Sequence, residues 1–151
     1  MTDSGFDPGL ADATRSGVFF VTEEDLDGLG VAARDAGLVV RRVDLKGCNG
    51  KATVLLRIAT ALDFPTSFGR NWDALSDSLR DLSWVPGAGY AVLFEGAGDL
   101  RAADEGDFDT LLDILDEAAQ DWAQRALPFW AFLALPEAAF EELEESVDPG
   151  E

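Results

Sequence analysis

The chain has 151 residues, with 11 Lys plus Arg against 30 Asp plus Glu for a net charge of -19, and it has no histidine. That absence excludes a Ser-His-Asp triad, a Cys-His pair and any imidazole acid/base couple or zinc ligand, and it leaves proton chemistry to carboxylates, Lys46, Lys51, Tyr90 and Cys48. The negative sign disfavours nucleic acid and anionic membranes as direct partners, while a 47% hydrophobic fraction with 10 Phe and 4 Trp argues for a folded core under an acidic skin.

Met1 to Arg15 is rich in Asp and Gly and has neither a basic start nor an apolar run, so it is read as a mobile tail and not as a signal peptide. From there, short β-rich runs alternate with helical patterns, the mark of an α/β layer fold. Gly17 to Val21 reads as a strand, and Thr22 caps a helix over Glu23 to Ala36, which Gly37 ends. Leu38 to Leu45 reads as a second strand. After the turn Gly47-Cys48-Asn49-Gly50, where Cys48 is an ordinary lone thiol, a helix is expected over Lys51 to Leu62. Pro65 stops it. The loop Phe64 to Arg70 leads to a helix over Asn71 to Leu82, and a Pro-Gly turn cluster then precedes a third strand, Tyr90 to Phe94. A long helix over Glu105 to Gln124 carries Phe108, Leu111, Leu112, Leu115, Ala119 and Trp122 on one face. Phe129 to Leu135 is apolar throughout, as a strand covered on both faces should be. Pro136 opens an acidic helix or tail. No run approaches the ~20 apolar residues of a membrane helix. The expectation is one domain over residues 16–136, soluble, cytoplasmic and monomeric, with loose ends at 1–15 and 137–151.

The charge is lopsided. Residues 1–60 hold seven basic and nine acidic residues, net -2, whereas residues 61–151 hold four and 21, net -17. Most of this suits a solvated helix face and a solubilising tail. The helix Asn71 to Leu82 differs because its charges are placed. At 100° per residue Trp72, Leu75, Leu79 and Leu82 share one side, while Asp73, Asp77 and Asp81 recur at i, i+4 and i+8 on the other. Like charges at that spacing disfavour a helix by a few tenths of a kcal/mol per pair. Asn71 as N-cap, the helix dipole at Asp73, and Arg70 and Arg80 offset part of that cost. Such a stripe is either a solvated face or a surface kept for a cationic partner. In the preceding loop Gly69 is expected to permit an unusual backbone geometry, and Phe68 is either a core plug or an exposed contact.

The segment Phe64-Pro65-Thr66-Ser67-Phe68-Gly69-Arg70-Asn71-Trp72-Asp73-Ala74-Leu75-Ser76-Asp77-Ser78-Leu79-Arg80-Asp81-Leu82 resembles the signature of the barstar family, the intracellular inhibitors of secreted bacterial ribonucleases. The match is an aromatic-Gly-x-Asn-x-Asp-Ala-Leu-x-Asp-x-Leu pattern, and the order of elements agrees from about Leu38 to Leu135. The resemblance implies an α/β fold with a small, mostly parallel sheet: three core strands, plus an extra N-terminal strand from the strand-helix addition over residues 16–37. It also implies a non-catalytic protein without cofactor or metal, whose partner is a basic ribonuclease or nuclease-like toxin. Carried over by position, Asp77 looks like the mimic of a substrate phosphate, with Asp73 one turn earlier. Asn71 and Gly69 match loop residues at the interface, and Phe68, Arg70, Ser76 and Asp81 flank them. Asp109 is a weaker match to a peripheral acidic contact. Ser67 and Ser76 stand where the best-known member has aromatic contacts.

Two other readings compete. In the first, Asp73/Asp77 or Asp104/Asp107/Asp109 bind Mg²⁺ or act as an acid/base pair, but the second group lacks calcium-loop spacing and no nucleophile accompanies the first. Alternatively, the fold is an immunity or regulatory module for a basic protein that is not a ribonuclease.

Overall fold

Four strand-forming runs, three of them mainly apolar and the edge run Val39–Asp44 mixing valines with charges, assemble into one parallel sheet in the computed structural model, which describes residues 9–140. The elements are β1 (Val18–Val21), α1 (Glu23–Asp35), β2 (Val39–Asp44), α2 (Lys51–Ala61), α3 (Trp72–Asp81), β3 (Tyr90–Glu95), α4 (Ala97–Ala103), α5 (Glu105–Gln124) and β4 (Phe129–Ala134). The sheet order is β1-β4-β3-β2 and every pairing is parallel. The expected extra strand is thus an edge strand beside β4. The central strands explain their sequences: all six residues of β4, and five of the six in β3, are buried.

Because β1 and β2 lie at opposite edges, α1 must cross one face of the sheet to join them. It does so over β2, β3 and β4, burying Leu26 and Ala33 against Ala91, Leu93, Trp130 and Phe132. A Cβ at Gly30 would sit 3.1 Å from the Leu93 side chain, so this glycine lets the helix approach the sheet closely. The other face carries the larger core, in which α2, α3 and α5 pack Leu55, Ile58, Leu75, Leu79, Leu111 and Leu115 against Val92, Phe94, Ala131 and Leu133. The α3 helix therefore stands on the face opposite α1.

Two stretches depart from expectation. Residues 9–15 are not a free tail: Leu10 is buried, the Trp130 Nε1–H donates to its carbonyl at 2.8 Å, and Asp12 caps a 3-10 turn, Ala13–Arg15. A single leucine in an Asp/Gly-rich stretch has no periodicity to reveal it. Residues 1–8 and 141–151, which hold the rest of both expected loose ends, lie outside the described residues; residues 137–140 are helical, with Ala139 buried. The second departure is α4, which fills what reads as a connection between β3 and α5. Gly96, at φ +64°, starts it, and a Cβ there would come within 2.5 Å of the Lys46 side chain. Asp104 then caps α5, its Oδ1 accepting from the Asp107 N–H at 3.0 Å.

Candidate functional site

The acidic helix α3 is fixed at both ends and along its back. At its start, Asn71 Oδ1 accepts from the Ala74 N–H at 2.7 Å, as an N-cap should. Along its rear, Leu75 and Leu79 are buried and Trp72 packs half-buried against the core. At its end, Leu82 adopts a left-handed conformation, φ +49°, while its side chain stays fully buried. Helix C-termini leave carbonyls without intrahelical donors, and here α5 supplies them. The Trp122 Nε1–H donates to Leu79 O at 2.7 Å, and Arg125 donates to Arg80 O at 2.6 Å. Arg125 also pairs with Asp121 and lies 3.8 Å over the Trp122 ring, so a cation stands at the negative end of the α3 dipole.

This buttress leaves Asp73, Asp77 and Asp81 exposed on the outward face. Asp77 is 76% exposed and pairs with Arg80 at 2.8 Å, while Arg80 Nε also donates to Ser76 O. Asp81 accepts a long 3.4 Å bond from the Ser83 hydroxyl. Among the described residues, Asp73 and Arg70 make no ion pair. Ser76 is half-buried beside the stripe.

The loop before α3 is held from beneath. Phe64 meets Phe68 edge-on at 4.8 Å and Trp84 at 5.6 Å, and the Trp84 indole donates to Leu62 O. The Phe68 N–H donates to Pro65 O, closing a turn. Phe68 is thus a half-buried plug. The unusual backbone falls on Arg70, at φ +56°, and not on Gly69, whose φ is outside the left-handed region. A Cβ at Gly69 would meet Ala74 Cβ and Asn71 Nδ2 at 3.4 Å, the edge of ordinary contact. Ser67, Gly69, Arg70 and Asn71 are all exposed and adjoin the stripe.

Asp109 is not brought to this surface by the contacts that anchor α3. It lies in the first turns of α5, 13 residues before the Trp122 that holds Leu79, which is roughly 20 Å at 1.5 Å per residue. The sequence also left unmarked a groove of about 350 Å³ beside the loop, walled by Leu56, Ala59, Phe64, Pro65 and Phe68 with Arg70 at one side. Its signal was Leu56, which falls off the buried stripe of its helix and is 53% exposed.

Chemically, the surface offers exposed carboxylates on a buttressed helix. Among the described residues no group of three or more His, Cys, Asp or Glu is gathered as for a metal ion. Cys48 is buried, and burial pushes its thiol above the usual range. No described helix is long and apolar enough to cross a membrane.

A family model described as Barstar (barnase inhibitor) matches residues 38–134, nearly two thirds of the chain. No curated protein matches it.

Proposed function

Because the chain belongs to the barstar family, a family of non-catalytic inhibitors, we propose that it binds a basic ribonuclease and occludes its active site with α3 and the loop before it. The observation that carries this reading is the ruled acidic face: Asp73, Asp77 and Asp81 exposed on a helix whose rear is buried and whose end is clamped by Trp122 and Arg125. A ribonuclease site must be cationic to hold phosphate and stabilise its developing charge. A fixed helix bearing carboxylates offers the charge of that phosphate with no bond to cleave, and Asp77 is the residue assigned to that place. Asp73 reinforces it, and Asn71, Gly69, Arg70, Ser76 and Phe68 shape the surrounding contact, with Asp81 at its end. Asp109 is at most peripheral.

Rigidity matters to affinity because side chains ordered before binding lose less entropy on binding. The mutual repulsion of the stripe destabilises the free protein slightly and is relieved by a cationic partner, a local cost of the kind expected at functional surfaces. With serines at positions 67 and 76, the contact relies on charge more than on aromatic packing, and the groove beside the loop, lined by Leu56 and Phe68 but also by Asp63, Thr66 and Arg70, is available to a side chain of the target.

Titrating the purified protein into a basic microbial ribonuclease should abolish its activity at one-to-one stoichiometry. Full activity at excess protein, together with recovery of a different basic protein as a stoichiometric complex, would instead support the immunity or regulatory module.

A further inference from the structure

The strand-helix unit formed by β1 and α1 precedes the matched residues 38–134, and the proposed inhibitory surface does not use it. On its inner side β1 pairs with β4; among the described residues nothing pairs with its outer side. Natural sheets protect exposed edges with charges, prolines or bulges, yet Val18-Phe19-Phe20-Val21 has none of these. Beside this edge lies an aromatic shelf on the α1 face. Phe19 is 43% exposed, and its ring lies 5.5 Å from Trp130 and 6.0 Å from Phe132, which stack on each other at 5.6 Å. These rings, with Leu10, Leu29 and Arg15, line an open groove of about 580 Å³.

We propose that this edge is a self-association surface: two copies of the chain pair their β1 strands antiparallel about a two-fold axis at Phe19, joining two four-stranded sheets into one. The backbone sets that register. Gly17 O and Val21 O accept from the Ala131 and Leu135 N–H groups at 3.0 and 2.9 Å, so the odd-numbered residues turn their backbone groups toward β4. By alternation, Val18 and Phe20 turn theirs outward. In an antiparallel ladder, pairs that exchange both hydrogen bonds alternate with pairs that exchange none. Val18 of one copy then bonds Phe20 of the other, and Phe19 faces Phe19 as the non-bonded pair, with Cα atoms ~4.5 Å apart.

Charge favours a second copy as the occupant. The same pairing brings Arg15, in the turn just before β1 of one copy, toward the end of the other copy's β1, where the acidic first turn of α1 (Glu23, Glu24, Asp25) begins, and two-fold symmetry makes this approach twice. The strip Gly17 to Val21 is itself uncharged, and it belongs to the part of the chain with net charge -2. The stripe on α3 stands on the other face of the sheet and stays free in such a dimer.

Sedimentation velocity over a concentration series should show the mass rising from 16.2 kDa toward twice that value, and Phe19→Lys should hold the protein at the lower mass with its circular dichroism unchanged. Register is read by cross-linking. Phe19→Cys should oxidise to a disulfide-linked dimer, because its Cα separation falls in the disulfide range of ~4.4–6.8 Å. Phe20→Cys should not, because this register sets Phe20 opposite Val18 of the other copy and leaves the two position-20 Cα atoms roughly 8 Å apart, beyond disulfide reach, and the buried Cys48 should not contribute. A wild-type chain that stays monomeric at every concentration, or cross-linking as efficient at position 20 as at 19, overturns the proposal.

Discussion

At Asp77 two partners compete for one carboxylate. In the free protein Arg80 holds it at 2.8 Å, and in the proposed complex a cation of the target must take it. The pair is exposed, so it contributes about 0–1 kcal/mol to stability, and breaking it is a small obstacle. Arg80→Ala should therefore change the unfolding free energy by less than about 1 kcal/mol while speeding association with a basic ribonuclease, since it removes the positive charge nearest the stripe. Chemical denaturation and stopped-flow mixing read the two effects separately. Tyr90, the chain's single tyrosine, permits a second test. Burial raises its pKa, and its hydroxyl donates to Val85 O at 2.7 Å beneath Trp122. A folded pKa above the unfolded value means that the contribution of Tyr90 to stability is fully present below the unfolded value of ~10 and is lost as pH rises through the folded one. Ultraviolet titration should find the native phenol ionising later than that of the urea-unfolded chain, with stability falling in that alkaline window.

On the scale of elements, α3 depends on its cap and its rear. Asn71→Ala removes the bond to the Ala74 N–H and should cost about 1 kcal/mol, whereas Leu79→Ala opens a cavity in the larger core and should cost about 2–5 kcal/mol. Thermal unfolding should rank them in that order. The helices α1, α2, α3 and α5 were legible because each carries an apolar period, and all but α2 open on a side-chain cap; β4 was legible as an unbroken apolar run. Other features were hidden for physical reasons. At seven residues α4 spans fewer than two turns, and Gly96 and Gly98 at its start resemble a loop. The Asp77–Arg80 pair follows from i, i+3 spacing. By contrast, the clamp of Trp122 and Arg125 on Leu79 and Arg80 joins residues more than 40 apart and has no local signal. A glycine at position 69 suggests backbone freedom there, but the left-handed backbone falls one residue later, on Arg70. The order of the strands, with β1 at the edge farthest from β2, is set by tertiary packing that no single element encodes.

For the whole molecule, the net charge of -19 matters less than its distribution, nearly all of it after residue 60. Attraction between this half and a basic enzyme is long-ranged in dilute salt and screened as the Debye length shrinks from ~10 Å at about 0.1 M to ~3 Å at about 1 M. The association rate should fall steeply over that range, with a smaller change in dissociation rate. In the proposed complex the ordered stripe, and not acidity in general, forms the contact. The most direct measurement compares the affinities of the wild-type protein, Asp77→Ala and Asp35→Ala for a basic microbial ribonuclease. Asp35 is also an exposed carboxylate, at the end of α1, on the opposite face of the sheet. Asp77→Ala should weaken binding by about 2 kcal/mol or more, roughly thirtyfold, and Asp35→Ala by less than about twofold. Equal losses from the two substitutions would mean that acidity in general, and not the stripe, carries the binding.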